Sequence, residues 1–188
     1  KRATQAHDVL AIIEGDLQGP FPLKARDGTQ MNVKFIDGFS GYVMMETLMT
    51  KSSEEVLAVF KRFQHRFERI TGKKILAVKT DGGSEFKGVF LEHLIKIGIT
   101  PRKGEPYEHH VPGKAERIHE TIMRMARAML IDSKLPSMYY SDAMLAAVYI
   151  YNRTTQKGKK YSPFEVIHRR KPRTLDLVPF GTICHVFI

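Results

Sequence analysis

The sequence has little cysteine and no long apolar run, and each shortage excludes a class of protein. Its single cysteine, Cys184, excludes an internal disulfide and a cysteine-based zinc site and suits a reducing compartment. No apolar run approaches the ~20 residues that a membrane-spanning helix requires, so we expect no membrane partner. The chain begins with Lys1 and no signal-peptide pattern follows, which indicates a fragment of a longer protein.

What the sequence does contain is enough apolar material for a core and an excess of positive charge. Its 188 residues, 43% hydrophobic and 27% charged, are typical of one globular domain. Thirty lysines and arginines against twenty acids give a formal charge of +10, and eight of these basic residues lie between residues 153 and 173. Such a distribution favours a polyanion such as nucleic acid as partner, although a solvated basic loop has the same pattern.

Hydrophobic periodicity predicts an α/β domain built around a mixed sheet. The strongest helix signal begins at a cap, Thr50 or Ser52, and ends before Gly72. Its apolar residues follow the 3–4 spacing of a core-facing stripe: Val56, Val59, Phe60, Phe63 and Phe67. Strands are expected near residues 11–17, 31–39, 42–48, 75–80, 99–103 and 182–188. Helices are expected near residues 52–70, 87–97, 114–133 and 138–153, and a helical turn near residues 163–169.

Three acidic residues stand beside glycine-containing turns, which leave room for a substrate backbone. Asp16 and Asp81 each follow an apolar run typical of a strand, and Glu116 opens the longest helical pattern. Taken singly, such residues are more often turn formers or helix-terminal acids than ligands. Taken together, they predict an oxygen-only site for a hard cation such as Mg²⁺.

The chemistry explains why a chain would gather three carboxylates. Attack on a phosphodiester builds negative charge on both the attacking and the leaving oxygen. Two divalent ions about 3.5–4 Å apart stabilise both oxygens and lower the pKa of the attacking hydroxyl. Clustered carboxylates hold such ions, and the ions relieve the repulsion among the carboxylates.

Short motifs occur in order along nearly the whole chain. They are Gly15–Pro20, Phe35–Ser40, Thr80–Phe86, Gly113–Arg117, Ala126–Leu130, Tyr151–Arg153, Ser162–Glu165 and Phe180–Gly181. In sequence and spacing this set resembles the catalytic core of copia-type LTR-retrotransposon integrases, within the retroviral-integrase superfamily. The resemblance implies an RNase H-like α/β fold, with a mixed five-stranded sheet flanked by helices. It also implies a catalytic core at residues 1–154 and a basic C-terminal extension at residues 155–188.

The same resemblance implies an activity and a set of site residues. The activity is metal-dependent DNA strand transfer, with Asp16, Asp81 and Glu116 as catalytic and metal-binding acids for two Mg²⁺ ions, which Mn²⁺ can replace. The expected partners are double-stranded DNA and further copies of the chain, in the nucleus after a cytoplasmic particle stage. The expected DNA contacts are Tyr107, Lys114, Arg117, His119 and Arg124.

Several alternatives stay open at the level of sequence. Glu120 stands where many relatives carry a basic residue, and it favours a domesticated or inactive core that only binds DNA or protein. A simple RNase H-like nuclease is a third reading, but it does not explain the basic tail. Lys114 is either a DNA contact or a solvated lysine, and Asp37 is either a fourth metal-site acid or a hairpin residue.

Overall fold

The computed structural model describes residues 6–103, 114–175 and 177–183, and strands and helices alternate in them as the sequence predicts. The strands are β1 (Ile12–Gln18), β2 (Met31–Asp37), β3 (Val43–Leu48), β4 (Ala77–Thr80) and β5 (Thr100–Lys103). The α-helices are α1 (Ser53–Thr71), α2 (Val89–Lys96), α3 (Lys114–Ser133), α4 (Tyr140–Arg153) and α5 (Pro163–His168). Short 3-10 turns, Ser84–Phe86 and Ser137–Tyr139, precede α2 and α4.

The five strands form one mixed sheet in the order β3-β2-β1-β4-β5. Strands β1, β2 and β3 are consecutive antiparallel neighbours, whereas β4 and β5 run parallel to β1. The expected mixed five-stranded sheet flanked by helices is confirmed, and it matches the RNase H-like architecture.

Asp37 closes the hairpin between β2 and β3 and is almost completely buried. Its carboxylate accepts hydrogen bonds from the backbone N–H of Leu10 at 2.8 Å and from that of Ser40 at 2.7 Å. Because both oxygens satisfy backbone donors, Asp37 is a structural turn residue, which decides between the two readings that the sequence left open.

One face of the sheet packs against α1, α2 and α5 through a cluster rich in phenylalanine. The expected apolar stripe of α1 is confirmed, since the buried residues are Val56, Val59, Phe60, Phe63 and Phe67. Ser52 caps the helix by accepting from the Glu55 N–H, and Gly72 ends it at a φ of 70°. The opposite face packs against α3 and α4, where Ile118, Ile122 and Ala126 of α3 contact this side of the sheet.

Two boundaries differ from the sequence-based expectation. Helix α2 begins at Val89 rather than residue 87, because Gly88 adopts a φ of 51° and separates it from the 3-10 turn. Of the expected last strand, Thr182 and Ile183 have no regular structure, and residues 184–188 lie outside the described residues. Within the described part of the chain, no helix has the length and apolarity needed to cross a membrane.

Candidate active site

Asp16 and Asp81 lie at the same edge of two neighbouring parallel strands. Strand β1 pairs with β4 in a register that sets Ile12 opposite Ala77 and Glu14 opposite Lys79. Continued by two residues, this register sets Asp16 beside Asp81, which directly follows the end of β4. Neighbouring strands are about 4.8 Å apart, so both acids lie at the same edge of the sheet.

A glycine lies directly beside each of these two acids in the backbone. A methyl group at Gly15 would come within 3.3 Å of side-chain atoms of Phe35, Thr80 and Phe86, so a larger residue there would require these side chains to shift. After β4 the chain turns at Gly82, which has a φ of +83°. Asp81 is exposed, and its Oδ1 accepts the N–H of Gly83 at 2.9 Å, which fixes the carboxylate at the turn.

Helix α3 brings the third acid alongside this edge. Its apolar side, with Ile118 and Ile122 buried, packs on the sheet and fixes the rotation of the helix. Glu116 lies in the first turn and is exposed. His119 is one turn further and therefore on the same side of the helix as Glu116.

A chain of four polar side chains joins α3 to the first two strands. Lys34 of β2 lies directly opposite Asp16 of β1, and its fully buried Nζ is 2.9 Å from Asp16 Oδ2. The same Nζ is 2.8 Å from Nδ1 of His119. The Nε2 of His119 is in turn 2.6 Å from the side-chain amide of Gln18. The first of the three acids is therefore paired with a cation of the protein itself.

Burial dominates the electrostatics of this network. It lowers the pKa of the Lys34 ammonium, and the charge and hydrogen bond of Asp16 oppose that shift. Burial also lowers the pKa of His119, and the positive charge of Lys34 lowers it further. The negative charges of Asp16, Glu120 and Glu116 act on the pKa of His119 in the opposite direction.

The donors at this edge fit a hard cation in chemical type. Within residues 6–103, 114–175 and 177–183, no group of three or more His, Cys, Asp or Glu side chains forms a cluster of metal-ligand spacing, so the three acids are not gathered. Asp16 and Asp81 nevertheless offer carboxylate oxygens from neighbouring strands, and 44% of the Asp16 side chain is exposed. Only Oδ2 of Asp16 has a partner among the described residues, which leaves Oδ1 for a cation such as Mg²⁺.

The expected DNA contacts fall into three groups. Tyr107 lies outside the described residues, and for Lys114 only the backbone at the start of α3 is described. Arg117 and Arg124 are exposed on α3, and Arg124 is 3.8 Å from the carboxylate of Glu120. His119 uses both ring nitrogens in contacts with Lys34 and Gln18, so its expected DNA contact stays a prediction.

A separate basic cavity of about 310 Å³ lies between α4 and the chain that follows α5. Its lining consists of Tyr149, Arg153, Phe164, Arg170, Arg173 and Leu177. The Arg153 guanidinium lies 3.3 Å from the centroid of the Tyr149 ring, and Arg170 lies 5.2 Å from that of Phe164. Three of the described lining residues are arginines, whose guanidinium groups are suited to binding anions.

Comparison with known proteins places this geometry in a family. No protein-family model matches the chain. Over 148 residues, 78% of the chain, it is 32% identical to the retrovirus-related Pol polyprotein from transposon TNT 1-94 of Nicotiana tabacum. Over 170 residues it is 28% identical to the corresponding polyprotein from transposon RE2 of Arabidopsis thaliana. The chain spans 11% of the length of each of these relatives.

Solved structures agree with the sequence relatives. The HTLV-2 integrase catalytic core domain, in complex with magnesium, superposes with a TM-score of 0.64 at 20% identity, over 86% of this chain and 99% of that one. A chain of the simian T-cell lymphotropic virus intasome in complex with PP2A regulatory subunit B56 gamma superposes with a TM-score of 0.70 at 16% identity, over 98% of this chain and 62% of that one. The chain is an LTR-retrotransposon integrase core. At these identities the structural likeness establishes the fold alone.

Sequence reasoning about this integrase core missed Lys34 and Gln18. A signal was present, since Lys34 is a charged residue between Val33 and Phe35 in a strand expected to be mostly buried. A lysine at such a position requires an anionic partner, and the pairing of β1 with β2 supplies Asp16. Identifying Asp16 as that partner required the register between β1 and β2, which the sequence analysis did not predict.

Proposed function

We propose that this integrase core catalyses DNA strand transfer, in which a DNA 3′-hydroxyl attacks a phosphodiester of the target DNA in line. The observation that supports the proposal is the parallel pairing of β1 with β4, because both strands run toward the same sheet edge, where Asp16 and Asp81 lie. Relationship to retrotransposon Pol polyproteins supports the same reaction class. Double-stranded DNA is the proposed substrate, consistent with the net charge of +10.

The roles of the residues follow from where they lie. Asp16 and Asp81 would hold Mg²⁺, or Mn²⁺ in its place, and Glu116 on α3 would complete the carboxylate set. A divalent cation bound there would stabilise charge on the attacking and leaving oxygens and make the hydroxyl more acidic. Gly82 would let a DNA backbone approach the carboxylates closely, since it carries no side chain. Arg117 and Arg124 would contact phosphates along α3.

Two of the related structures support an assembly of several copies. One neighbouring structure is described as a trimeric form and another as an intasome, and we propose that this core also acts as a homo-oligomer on DNA. Action in the nucleus, after a cytoplasmic particle stage, is part of the same proposal.

Strand joining on a branched oligonucleotide tests the reaction directly, because the branched substrate brings the reacting ends together without flanking domains. We expect joining by the wild type with Mg²⁺ or Mn²⁺, and a loss of at least about 100-fold in Asp81→Asn and in Glu116→Gln. Joining that survives in both variants would contradict the assignment of these acids.

Matched controls come from exposed acids elsewhere in the chain. Asp132→Asn removes one charge at the far end of α3, and Glu92→Gln removes an exposed first-turn glutamate from α2. Both variants should join strands at the wild-type rate. An equal loss in the controls would show that net charge, and not the carboxylates at the sheet edge, sets the rate.

A second candidate function is a domesticated core that binds DNA without joining strands. The observation in its favour is Glu120, whose carboxylate lies 3.8 Å from Arg124 and offsets a basic side chain proposed to contact phosphate. Binding of DNA by the wild type without joining under either metal would support this candidate. Recovery of joining in Glu120→Arg would then identify Glu120 as the residue that blocks activity.

A further inference from the structure

Lys34 is a lysine in the interior of the protein whose charged end lies at the candidate active site. Its side chain has 0% exposure, whereas the Asp16 side chain that it contacts is 44% exposed. The ammonium therefore reaches Asp16 from the protein side, and solvent and substrate reach the same carboxylate from the other side. An ion pair with this geometry is shielded much less by water and salt than a surface pair.

The ammonium group is held in place by two acceptors on different elements. Nζ lies 2.9 Å from Asp16 Oδ2 on β1 and 2.8 Å from His119 Nδ1 on α3. A neutral imidazole that accepts at Nδ1 carries its proton on Nε2, which lies 2.6 Å from the Gln18 amide nitrogen, itself a donor. Exchanging the Gln18 amide oxygen and nitrogen makes this contact a hydrogen bond from Nε2–H to Oε1, which otherwise has no partner among the described residues. Strand β2, strand β1 and helix α3 thus fix one positive charge beside Asp16.

The position of this charge restricts how Asp16 can bind metal. A carboxylate that bridges two divalent ions uses one oxygen for each, and here Oδ2 is already hydrogen-bonded to a cation. A dication placed at Oδ2 would lie within a few ångströms of the ammonium and be repelled by it. Oδ1, on the carboxylate in register with Asp81, has no partner among the described residues.

We propose that Lys34 is a tethered cation that replaces one of the two expected metal ions, so that this core binds a single divalent ion between Asp16 and Asp81. The proposal, which rests on the metal-dependent strand transfer proposed above, assigns the replaced ion to the α3 side of Asp16, because the contact with His119 lies there. Lys34 then neutralises Asp16 in the absence of metal and positions its free oxygen toward Asp81.

A purely structural ion pair is the alternative account of the same contacts. Both accounts predict that removal of Lys34 alters stability, because Asp16 loses its partner. Only the tethered cation predicts a change in the number of bound ions. The stoichiometry of metal binding, measured without any DNA or reaction, therefore separates the two.

The experiment is a titration of the 188-residue chain with Mn²⁺. Calorimetry measures the heat of binding, and the electron paramagnetic resonance signal measures the free Mn²⁺ at each step. We expect one ion per chain in the wild type and two in Lys34→Met, with the first ion bound about tenfold more tightly in the variant. Lys34→Arg keeps the charge and should again bind one ion. Lys96→Met, at an exposed position of α2, is the matched control and should equal the wild type.

Each other outcome overturns the proposal. Two ions in the wild type, or one ion in a folded Lys34→Met, would show that Lys34 is only a structural partner. In that case strand joining that depends on Asp81 and Glu116 would leave the proposed function intact. No bound ion in any variant, together with no strand joining, would overturn both. If Lys34→Met does not fold, Lys34→Gln takes its place, and an equal number of bound ions in the wild type and in folded Lys34→Gln contradicts a tethered cation.

Discussion

Asn152 is a buried residue in the last turn of α4 that joins the helix to the outer strand of the sheet. Its Nδ2 donates to the carbonyl of Val43 at 2.7 Å, and its Oδ1 accepts the N–H of Val43 at 2.8 Å. Because β3 is an edge strand, these backbone groups have no neighbouring strand on that side. One amide side chain therefore acts as a short strand partner and prevents two buried polar groups from going unpaired.

We expect Asn152→Ala to lower the free energy of unfolding by about 3 kcal/mol, because two backbone groups of Val43 lose their partners in a buried setting. Unfolding in urea, followed by circular dichroism, measures the change. Thr154→Ala is the control: it removes an exposed hydroxyl that donates to the Ile150 carbonyl within the same helix, and should cost less than about 0.5 kcal/mol. A loss below about 1 kcal/mol in Asn152→Ala would show that water replaces the amide.

At the scale of single residues, the sequence predicted roles best where the role is local. Asp81 at its turn and Ser52 as a helix cap depend on neighbours within a few positions, so short patterns reveal them. Lys34 and Asn152 act through partners that are distant in sequence and become neighbours only through strand register and helix packing. Their roles could not be predicted without the tertiary structure.

At the scale of elements, the regular helices were the most predictable parts of the fold. The stripe of α1 was correct at every buried position because an amphipathic helix facing a core repeats its apolar residues every three to four positions. The start of α2 was less predictable, since Gly88 interrupts a pattern that periodicity alone would continue. The short α5 was expected only as a helical turn, although it has a complete capping box between Ser162 and Glu165.

Helix α5 carries a histidine whose surroundings disfavour its charged form. His168 stacks on Phe164 at a centroid distance of 4.2 Å and contacts the ring of Tyr42. Burial lowers the pKa of His168, and the nearby charges of Arg170, Arg66 and Arg153 lower it further. Among the described residues, its buried Nε2 has no hydrogen-bond partner, so protonation gains nothing that would offset these costs.

We expect this helix to make the fold sensitive to mild acid. The unfolded chain, with an ordinary histidine pKa of about 6.5, binds a proton more readily than the folded chain. The stabilising contribution of neutral His168 is therefore complete above that pH and is lost as the pH falls through the lower, folded-state pKa. Thermal or urea unfolding at pH 7.5 and 5.5 measures the loss.

Substitution separates the titration of His168 from its packing. His168→Phe keeps an aromatic ring on Phe164 but cannot be protonated, so the decline of stability between pH 7.5 and 5.5 should become smaller. His168→Gln also removes the titration but loses the stacking, and should be less stable than His168→Phe at both values. An unchanged pH dependence in His168→Phe would show that other groups cause the decline.

At the scale of the whole molecule, α5 ties the basic C-terminal part to the main core. Phe164 and Ile167 are buried in the same cluster as Phe35 and Phe60 of the sheet and α1. The boundary between a core and an extension at residues 154 and 155 stays a prediction. The arginines that follow α5 are thereby held at a fixed place beside α4, which sequence composition alone could not specify.

The arginine-lined cavity beside α4 concentrates part of the net charge of +10 in one place. Its contribution to DNA binding can be measured. If Arg170 and Arg173 each neutralise one phosphate, removing both lowers the slope of log affinity against log salt by about 2. We expect Arg170→Ser with Arg173→Ser to bind duplex DNA more weakly in fluorescence anisotropy, with most of the difference disappearing at high salt. Arg153 stays in place in this variant, because it also packs on Tyr149.

The matched control removes the same charge from exposed positions on other elements. Lys61→Ser with Lys96→Ser takes one charge from α1 and one from α2, so both double variants carry the same net charge. If long-range attraction by net charge dominated, the two double variants would lose equal affinity and show equal salt slopes. A larger loss and a flatter slope in the arginine variant alone would locate the phosphate contacts at the cavity, since only charges that displace counterions at the DNA surface contribute to the slope.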